Sequence, residues 1–450
     1  MLAQATTPNH VLDAWIQFRY RQPKRIHHFM RTLKRLVEVG GCEASDWRLQ
    51  VLLSRLRGGY KRVINYDILL KYFSDLRLYN EIEQLTKFVK PHIPLLKPGQ
   101  LVSIMKSYGT CQLRDTAMLG LCMRYLGRDH SALSTKDLIS IVSSLGGVEI
   151  RSTHLISLIL SELLKRELTI DQFCDLISAA RSARYRDYAL AELAVLKGRK
   201  VLDQKERRNW DQLCRLVHEL NLSGIDDVTF CEEIISVVDP DSVSLESLIA
   251  LVSASVGIVE TDSVLNHFNV IRDSVILIEE TSQILLVASS VDRAKENLPF
   301  ACDLLVELGA RLVDLPRESE TYNVASLAEI FHKNQIYPEK LWKALLSDTR
   351  ICLPDFEPND FLTAARTFAE LPPELLGKRF PAVSNELCEW ALKRWEEFGL
   401  SQWNELKEIL LSKERFACSD WAKHELDKWG EVIAKSKKSQ LFLNRYRNTS

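Results

Sequence analysis

The sequence predicts an all-α protein, an α-solenoid of about eleven helix-turn-helix repeats. Its main evidence is an apolar phrase, apolar-x-x-apolar-apolar-x-small, that recurs about every 36 residues. Polar loops separate the copies, and no stretch shows the two-residue alternation of a β-sheet. A fixed period of this length is typical of solenoids, in which each repeat buries its apolar face against its neighbours. The copies begin at Leu33, Leu69, Leu101, Leu138, Phe173, Leu213, Leu248, Ile284, Leu327, Phe361 and Leu406.

Each repeat is predicted to contain two helices. In the repeat around Leu138, Ser134 resembles a helix cap, and the first helix spans 135–144. Gly146 and Gly147 are expected to end it, and a second helix follows from about residue 152 to 163. In the next repeat Thr169 caps the first helix. That helix covers 173–180, and the second covers 187–196.

The predicted domain organisation follows composition and polar breaks. The charged stretch 197–211 is either an extended helix or a linker between two halves of the solenoid. The segments are a basic N-terminal segment, basic N-terminal repeats, acidic middle repeats, and C-terminal repeats with a Trp-rich cap, at 1–32, 33–200, 201–330 and 331–450.

The N-terminus predicts a mitochondrial matrix location. Residues 1–37 contain seven Lys or Arg and one acid, Asp13. An Arg-rich, acid-poor, amphipathic start is typical of a mitochondrial presequence. The stretch 26–39 also fits a first repeat helix, which favours retention. Cleavage of the segment therefore stays open.

Charge is distributed unevenly, although the net charge is −1. Residues 1–66 hold twelve Lys or Arg against four acids, whereas residues 216–292 hold fourteen acids against one base. We expect the basic N-terminal half to contact RNA and the acidic stretch 216–292 to contact basic proteins, within a larger assembly. No apolar run approaches the roughly 18 residues of a membrane span.

A column of arginines is the strongest candidate site. Arg114, Arg151 and Arg186 each stand thirteen residues after the start of a phrase, in three successive repeats. Arg181 and Arg184 enlarge the patch, and Tyr185 is positioned to stack on a base. Stacked repeats would align these guanidinium groups as a ladder for RNA phosphates.

Two alternatives remain for this column. Arg114 and Arg186 each precede an acid, Asp115 and Asp187. The arginines could pair with an Asp of the neighbouring repeat and staple the stack, or they could contact protein. The position then reads Asp226 in a later repeat, where the ladder ends.

A second candidate for RNA binding is a basic patch around an aromatic residue and two glycines. Gly58 and Gly59 would let the backbone approach a ligand closely, and basic residues around an aromatic suit single-stranded RNA. The alternative is an ordinary solvated loop between helices. The predicted contact residues are Arg55, Arg57, Tyr60, Lys61 and Arg62.

Catalytic and metal-binding signatures are lacking in the sequence. It has no Walker loop, no H-E-x-x-H and no G-x-S-x-G. His27 and His28 have no companion ligand at metal spacing. The sequence therefore predicts a non-catalytic protein without cofactor or metal.

The repeats at 96–201 share a narrower form, visible in LKPGQLVSIMKS, LSTKDLISIVSS and LTIDQFCDLISA. A Leu opens each, four residues follow, and the first helix ends in a small residue before a polar loop and a second helix. This form resembles the heptatricopeptide and octotricopeptide repeats of organellar RNA-associated proteins, including the helical part of Fas-activated kinase-like proteins. Residues 243–310 resemble it less closely. Many such proteins end in a nuclease-like domain, whereas residues 401–450 continue helically into a basic tail.

The resemblance implies a role in RNA processing, RNA stability or a mitochondrial ribosome. The functional hypothesis is a non-catalytic organellar scaffold, a mitochondrial ribosome component that contacts rRNA and neighbouring proteins. The alternative is a purely protein-binding solenoid, such as an assembly factor or an accessory subunit of a respiratory complex.

Overall fold

The protein is an all-α solenoid, as the sequence predicts. We analysed a computed structural model, which describes residues 5–19, 26–148, 150, 152–204, 209–315, 323–377, 380–412, 416 and 424–432. Within these ranges the secondary structure is helical, and the only β-type pairing is an isolated bridge between Val256 and Val259. The predicted domain boundaries remain predictions.

The chain divides into two units, residues 1–226 and 227–450. The helices of the first unit are α1 (Pro8–Arg19), α2 (Ile26–Glu38), α3 (Trp47–Arg57), α4 (Tyr66–Asp75), α5 (Tyr79–Val89), α6 (Pro98–Thr110), α7 (Thr116–Asp129), α8 (Thr135–Gly147), α9 (Thr153–Leu163), α10 (Ile170–Ser182), α11 (Tyr188–Asp203) and α12 (Trp210–Leu222).

The second unit has the same kind of element order. Its helices are α13 (Val228–Val237), α14 (Leu245–Ser255), α15 (Thr261–Asp273), α16 (Thr281–Ala294), α17 (Ala301–Asp314), α18 (Val324–Lys333), α19 (Glu339–Cys352), α20 (Pro358–Glu370), α21 (Pro373–Leu376), α22 (Phe380–Lys393) and α23 (Leu400–Ser412).

Alternate helices stack side by side in each unit. In the first unit the row is α2, α4, α6, α8, α10 and α12, and in the second it is α14, α16, α18, α20 and α23. We call these the row helices. All eleven predicted phrase starts lie in them, and all eleven side chains are buried. The 36-residue period therefore marks the helix that each repeat adds to the row.

The predicted caps are present. The Ser134 hydroxyl accepts the Asp137 N–H at 3.1 Å, and Thr169 and Gln172 form a reciprocal capping box. Helix α11 continues to Asp203, so the first part of the charged stretch 197–211 belongs to an extended helix. Residues 205–208 lie outside the described residues.

The expectation that Gly146 and Gly147 end a helix at residue 144 is wrong. Helix α8 runs through both glycines to residue 147. They serve close packing: a Cβ on Gly146 would lie 2.6 Å from the carbonyl carbon of Ser182, and one on Gly147 would lie 2.7 Å from the carbonyl oxygen of Gly109. The backbones of α6, α8 and α10 therefore touch near their C-terminal ends.

Seven of the loops after the row helices have one backbone arrangement, whereas the loops after α14 and α20 do not share it. The residue after the last turn adopts positive φ, as at Arg77, Gln112 and Arg184 (φ 53° each) and at Gly224 (φ 68°). The next amide then bonds back to a carbonyl five residues earlier, with distances of 2.8–3.1 Å in seven loops of the described chain. This is the Schellman motif, which satisfies carbonyls at a helix end and places an apolar residue against the last turn.

The glycine contacts generate a paired prediction. Gly146→Ala should lower the free energy of unfolding by about 1–3 kcal/mol, because the backbone must shift to admit the methyl group. Gly120→Ala is the matched control, since an added Cβ in helix α7 meets nothing within 4 Å. That change should raise stability by roughly 0.5–1 kcal/mol. Urea unfolding measures both changes in stability. Equal changes for the two variants would show that the close helix approach does not require glycine at position 146.

A buried histidine predicts acid sensitivity in the second unit. His267 is 4% exposed, and burial lowers its pKa. In the unfolded chain this histidine binds a proton near pH 6.5, whereas in the folded chain it stays neutral to lower pH. The free energy of unfolding therefore falls as the pH drops below about 6.5. His267→Gln should lose less stability than wild type between about pH 7.5 and about pH 5.5. Identical losses would exclude this histidine as the cause.

Candidate nucleic-acid interface

The arginine column lies in the loops that follow the row helices. Arg114 follows α6 and Arg186 follows α10, and both side chains are exposed. Arg151 lies outside the described residues. These loops are neighbours, because the C-terminal ends of α6, α8 and α10 touch. The Arg186 guanidinium also reaches the next loop, where a Cβ on Gly224 would lie 3.3 Å from its Nη2.

The acids beside these arginines have other partners. Asp115 accepts the Met118 N–H at 2.9 Å and pairs with Lys90 at 2.8 Å. Burial alone would raise the pKa of Asp115, but these two partners lower it overall. Asp187 accepts the N–H groups that open α11. Arg114 and Arg186 have no carboxylate partner among the described residues, so the predicted arginine staple is absent from the described part of this column.

Other arginines connect the end of the second helix of a repeat to the loop before the first helix of that repeat, and no sequence pattern described above identifies them. Arg166 donates to the Leu133 carbonyl at 2.8 Å, and Arg311 donates to the Ile278 carbonyl at 2.8 Å. Each bond spans thirty-three residues back to the loop before the repeat's row helix. A search for arginines near the ends of second helices would have found the pattern.

The three residues that enlarge the first patch have different environments. Arg181 pairs with Glu219 at 3.1 Å and joins α10 to α12. Arg184 is exposed at the positive-φ position of its loop. Tyr185 is half-buried at the loop position that other repeats fill with Leu113 or Ile225. Its side chain also lines a pocket beside this loop, so contact with a base stays a prediction.

The second basic patch is only partly available to a ligand. The Tyr60 hydroxyl donates to Glu81 at 2.6 Å, and Arg57 forms an ion pair with the same carboxylate. Tyr60 is 1% exposed, and burial together with Glu81 raises its pKa. The prediction that Tyr60 contacts RNA is wrong, because its ring is enclosed. Arg55, Lys61 and Arg62 remain exposed.

The two patches lie at opposite ends of the row helices. Lys61 and Arg62 precede α4, whereas Arg114 follows α6. The starts of α4 and α6 are neighbours, since Gln100 donates to Asp67 at 3.2 Å. Helix α6 has 13 residues, which at 1.5 Å per residue is about 20 Å. A ligand would have to cross the full length of a row helix to touch both patches.

A groove of about 760 Å³ crosses the exposed faces of α6, α8, α10 and α12. Small side chains line it, and their hydroxyls are taken up by helix carbonyls: Ser140 donates to Lys136 and Ser182 donates to Ser178. Arg215 at its end pairs with Asp175 at 2.6 Å. The groove is thus a consequence of the close helix approach, and its polar groups are largely satisfied internally.

Charge separates by unit. Residues 1–226 hold 35 Lys or Arg against 23 acids, a net of +12. Residues 227–450 hold 24 against 37, a net of −13. The exposed arginine column therefore belongs to a strongly basic unit, although the whole chain is nearly neutral.

The described residues contain no group of three or more His, Cys, Asp or Glu side chains arranged to hold a metal ion. None of their helices combines the length and hydrophobicity that a bilayer-spanning segment needs.

Comparisons with known proteins add little. No protein-family model matches the chain, and no curated protein sequence matches it. Among solved structures, it is similar to a designed circular tandem repeat protein with novel repeat topology and enhanced subunit contact surfaces. The identity is 13%, 99% of each chain is covered, and the TM-score is 0.19. At that score the likeness carries no argument, and the assignment as a helical repeat protein stands on the helix stacking described above.

The Glu81 cluster predicts different roles for two nearby arginines. Arg57→Ala should destabilise the protein by roughly 1–3 kcal/mol, because it strips hydrogen bonds from a buried carboxylate. Arg55→Ala, at an exposed position without that contact, should change stability by less than about 0.5 kcal/mol. Urea unfolding of both variants measures the difference. If the two variants were equally stable, Arg57 would be a surface residue like Arg55, as the sequence predicts.

Proposed function

We propose that the protein is a non-catalytic, RNA-associated scaffold of the heptatricopeptide/octotricopeptide type, working as a component of a mitochondrial ribosome. Its basic unit would lie on rRNA, and its acidic unit would contact basic proteins. Support for the organelle comes from the Arg-rich N-terminus and the resemblance of residues 96–201, both read from sequence.

One observation carries the RNA part of the proposal: Arg114 and Arg186 are exposed and lack carboxylate partners among the described residues. Keeping a guanidinium free while the adjacent Asp caps a helix leaves its full donor fork for an outside anion. Neighbouring row helices lie about 8–10 Å apart, so these two groups, two repeats apart, are spaced on the order of 20 Å. That spacing suits several contacts along one phosphate backbone.

The composition of the acidic unit supports contact with protein. Glu232, Glu246, Glu260 and Asp262 are exposed there. Facing acids repel a polyanion and attract the basic segments common in RNA-bound assemblies. We therefore expect this surface to face protein or solvent.

A purely protein-binding solenoid is the second candidate. It is favoured by two adjacent apolar side chains, Ile276 (74% exposed) and Leu277 (65% exposed), between α15 and α16. Contiguous exposed apolar surface is typical of protein contacts. An assembly factor or an accessory subunit of a respiratory complex would need no phosphate ladder.

Charge reversal tests the ladder. Arg114→Glu with Arg186→Glu should weaken binding of single-stranded RNA by orders of magnitude at low salt, and adding Arg151→Glu should weaken it further. Each lost phosphate contact should flatten the salt slope by about one unit. The fold should survive, because the two described positions are exposed and unpaired. Fluorescence anisotropy of labelled RNA at several salt concentrations, beside a melting curve, measures both effects.

A matched control separates the ladder from bulk charge. Lys87, Lys200 and Lys340 are exposed and lie elsewhere on the chain. Reversing these three to Glu changes net charge as much as the triple arginine variant does. The control should retain most of the RNA affinity and the salt slope. If both triple variants bind alike, or if wild type binds no RNA, the protein-binding solenoid becomes the leading function.

A further inference from the structure

A separate pocket lies beside the arginine column. It has a volume of about 440 Å³ and opens where the loop between α10 and α11 meets the end of α12. Its apolar wall is formed by Ile177, Leu190, Ala191, Leu222 and Ile225. Ligand pockets in proteins are commonly of this size, with an apolar lining and a few convergent polar groups.

One polar group in the pocket wall lacks a partner. Arg181 uses its Nη2 for Glu219, at 3.1 Å, and for Ser178, at 3.3 Å. Its Nε is buried and has no hydrogen-bond acceptor within the described structure. A buried donor without an acceptor is unfavourable, and each such group calls for an explanation. An acceptor atom of a bound ligand would satisfy it.

The charge of the pocket favours an anion. Three arginines, Arg181, Arg184 and Arg186, line it with one acid, Asp187, and Glu219 pairs with Arg181, which leaves a net of +1. The Asp187 carboxylate is directed to the start of α11, where it accepts the Ala189 N–H at 3.0 Å. The Asp187 carboxylate is therefore engaged at the start of α11.

Arg184 has a strained backbone conformation. Its φ of 53° is in the left-handed region, whereas the equivalent loop after α12 uses Gly224 there. Glycine adopts this conformation freely, and other residues are strained in it. Arg77 and Gln112 have the same φ at the equivalent loop positions, so this strain is shared by several repeats.

We infer that this pocket holds one nucleotide of a bound single-stranded RNA. The base would lie against the apolar wall with an acceptor atom at the Arg181 Nε, and its phosphate would lie at Arg184 and Arg186. The combination of apolar surface, buried donor and guanidinium groups matches a base joined to a phosphate. The inference rests on the proposed function, because Arg186 belongs to both sites and a strand following the column passes the pocket mouth.

Blocking the pocket without touching its charges tests the inference. Leu222 is 43% exposed, so Leu222→Trp should fill the mouth while the protein still folds. Leu196→Trp is the matched control, since Leu196 is 53% exposed on α11 and does not line the pocket. Leu222→Trp should weaken single-stranded RNA binding at least about tenfold, the scale of one base-stacking contact. The salt slope should stay unchanged, because no phosphate contact is removed.

A second variant tests Arg184 with a readout that a structural role would not give. Arg184→Gly should leave the melting temperature equal to or above that of wild type, because glycine relieves the positive-φ strain. It should nevertheless weaken binding of adenosine 5′-monophosphate and flatten the RNA salt slope by about one unit. Lower melting temperature with unchanged affinity would assign Arg184 to the fold and overturn its role here.

The remaining outcomes separate this inference from the ladder. If Leu222→Trp and Leu196→Trp bind RNA equally, the pocket holds no nucleotide, even where the arginine reversals abolish binding. If inorganic phosphate competes as well as adenosine 5′-monophosphate, the base makes no contact and the inference fails. If wild type binds no RNA, the proposed function fails first, and this inference fails with it.

Discussion

The close approach of the row helices is the constraint on which the first unit depends. Backbones of α6, α8 and α10 meet at Gly109, Gly146 and Gly147, where even a methyl group would collide with the neighbouring main chain. That contact fixes both the spacing and the parallel alignment of the row. Because the C-terminal ends are held together, the loops that follow them are also held side by side. A periodic surface of loop residues exists only because the helices beneath it cannot spread.

Capping then decides which charges on that surface are available. Each Asp that follows the column turns its carboxylate to the N–H groups of the next helix, as Asp187 does at α11. Hydrogen bonds of this kind stabilise a helix start by about 1 kcal/mol, and they compete with an ion pair to the adjacent arginine. Arg114 and Arg186 are left exposed as a result. The same local chemistry that starts the second helices thus creates the candidate interface.

The sequence predicts the repeat well and the site less well, for a physical reason. Row positions such as Leu138 recur because every repeat buries the same face, so periodicity alone identifies them. The fate of Arg57 and Tyr60 depends on Glu81, more than twenty residues away, and no local pattern contains that contact. The prediction that Gly146 ends a helix is wrong because glycine has a second use. It ends helices in many proteins, whereas here it allows two helix backbones to pack closely. The role of a residue that depends on a single partner distant in the sequence cannot be predicted from the spacing of the repeats.

The division of charge would allow a nearly neutral chain to bind a polyanion. Electrostatic attraction at physiological salt acts over about 8 Å, so RNA on the arginine column would respond to the charges close to it rather than to the net charge of the chain. The sequence limits the basic column: its position reads Asp226 at the end of the first unit, and the −13 unit follows it. Under the proposed function, RNA bound along the loops would lose attraction where the column ends, so it would be confined to the loops around α6 to α12. The acidic unit would then remain for partners of opposite charge.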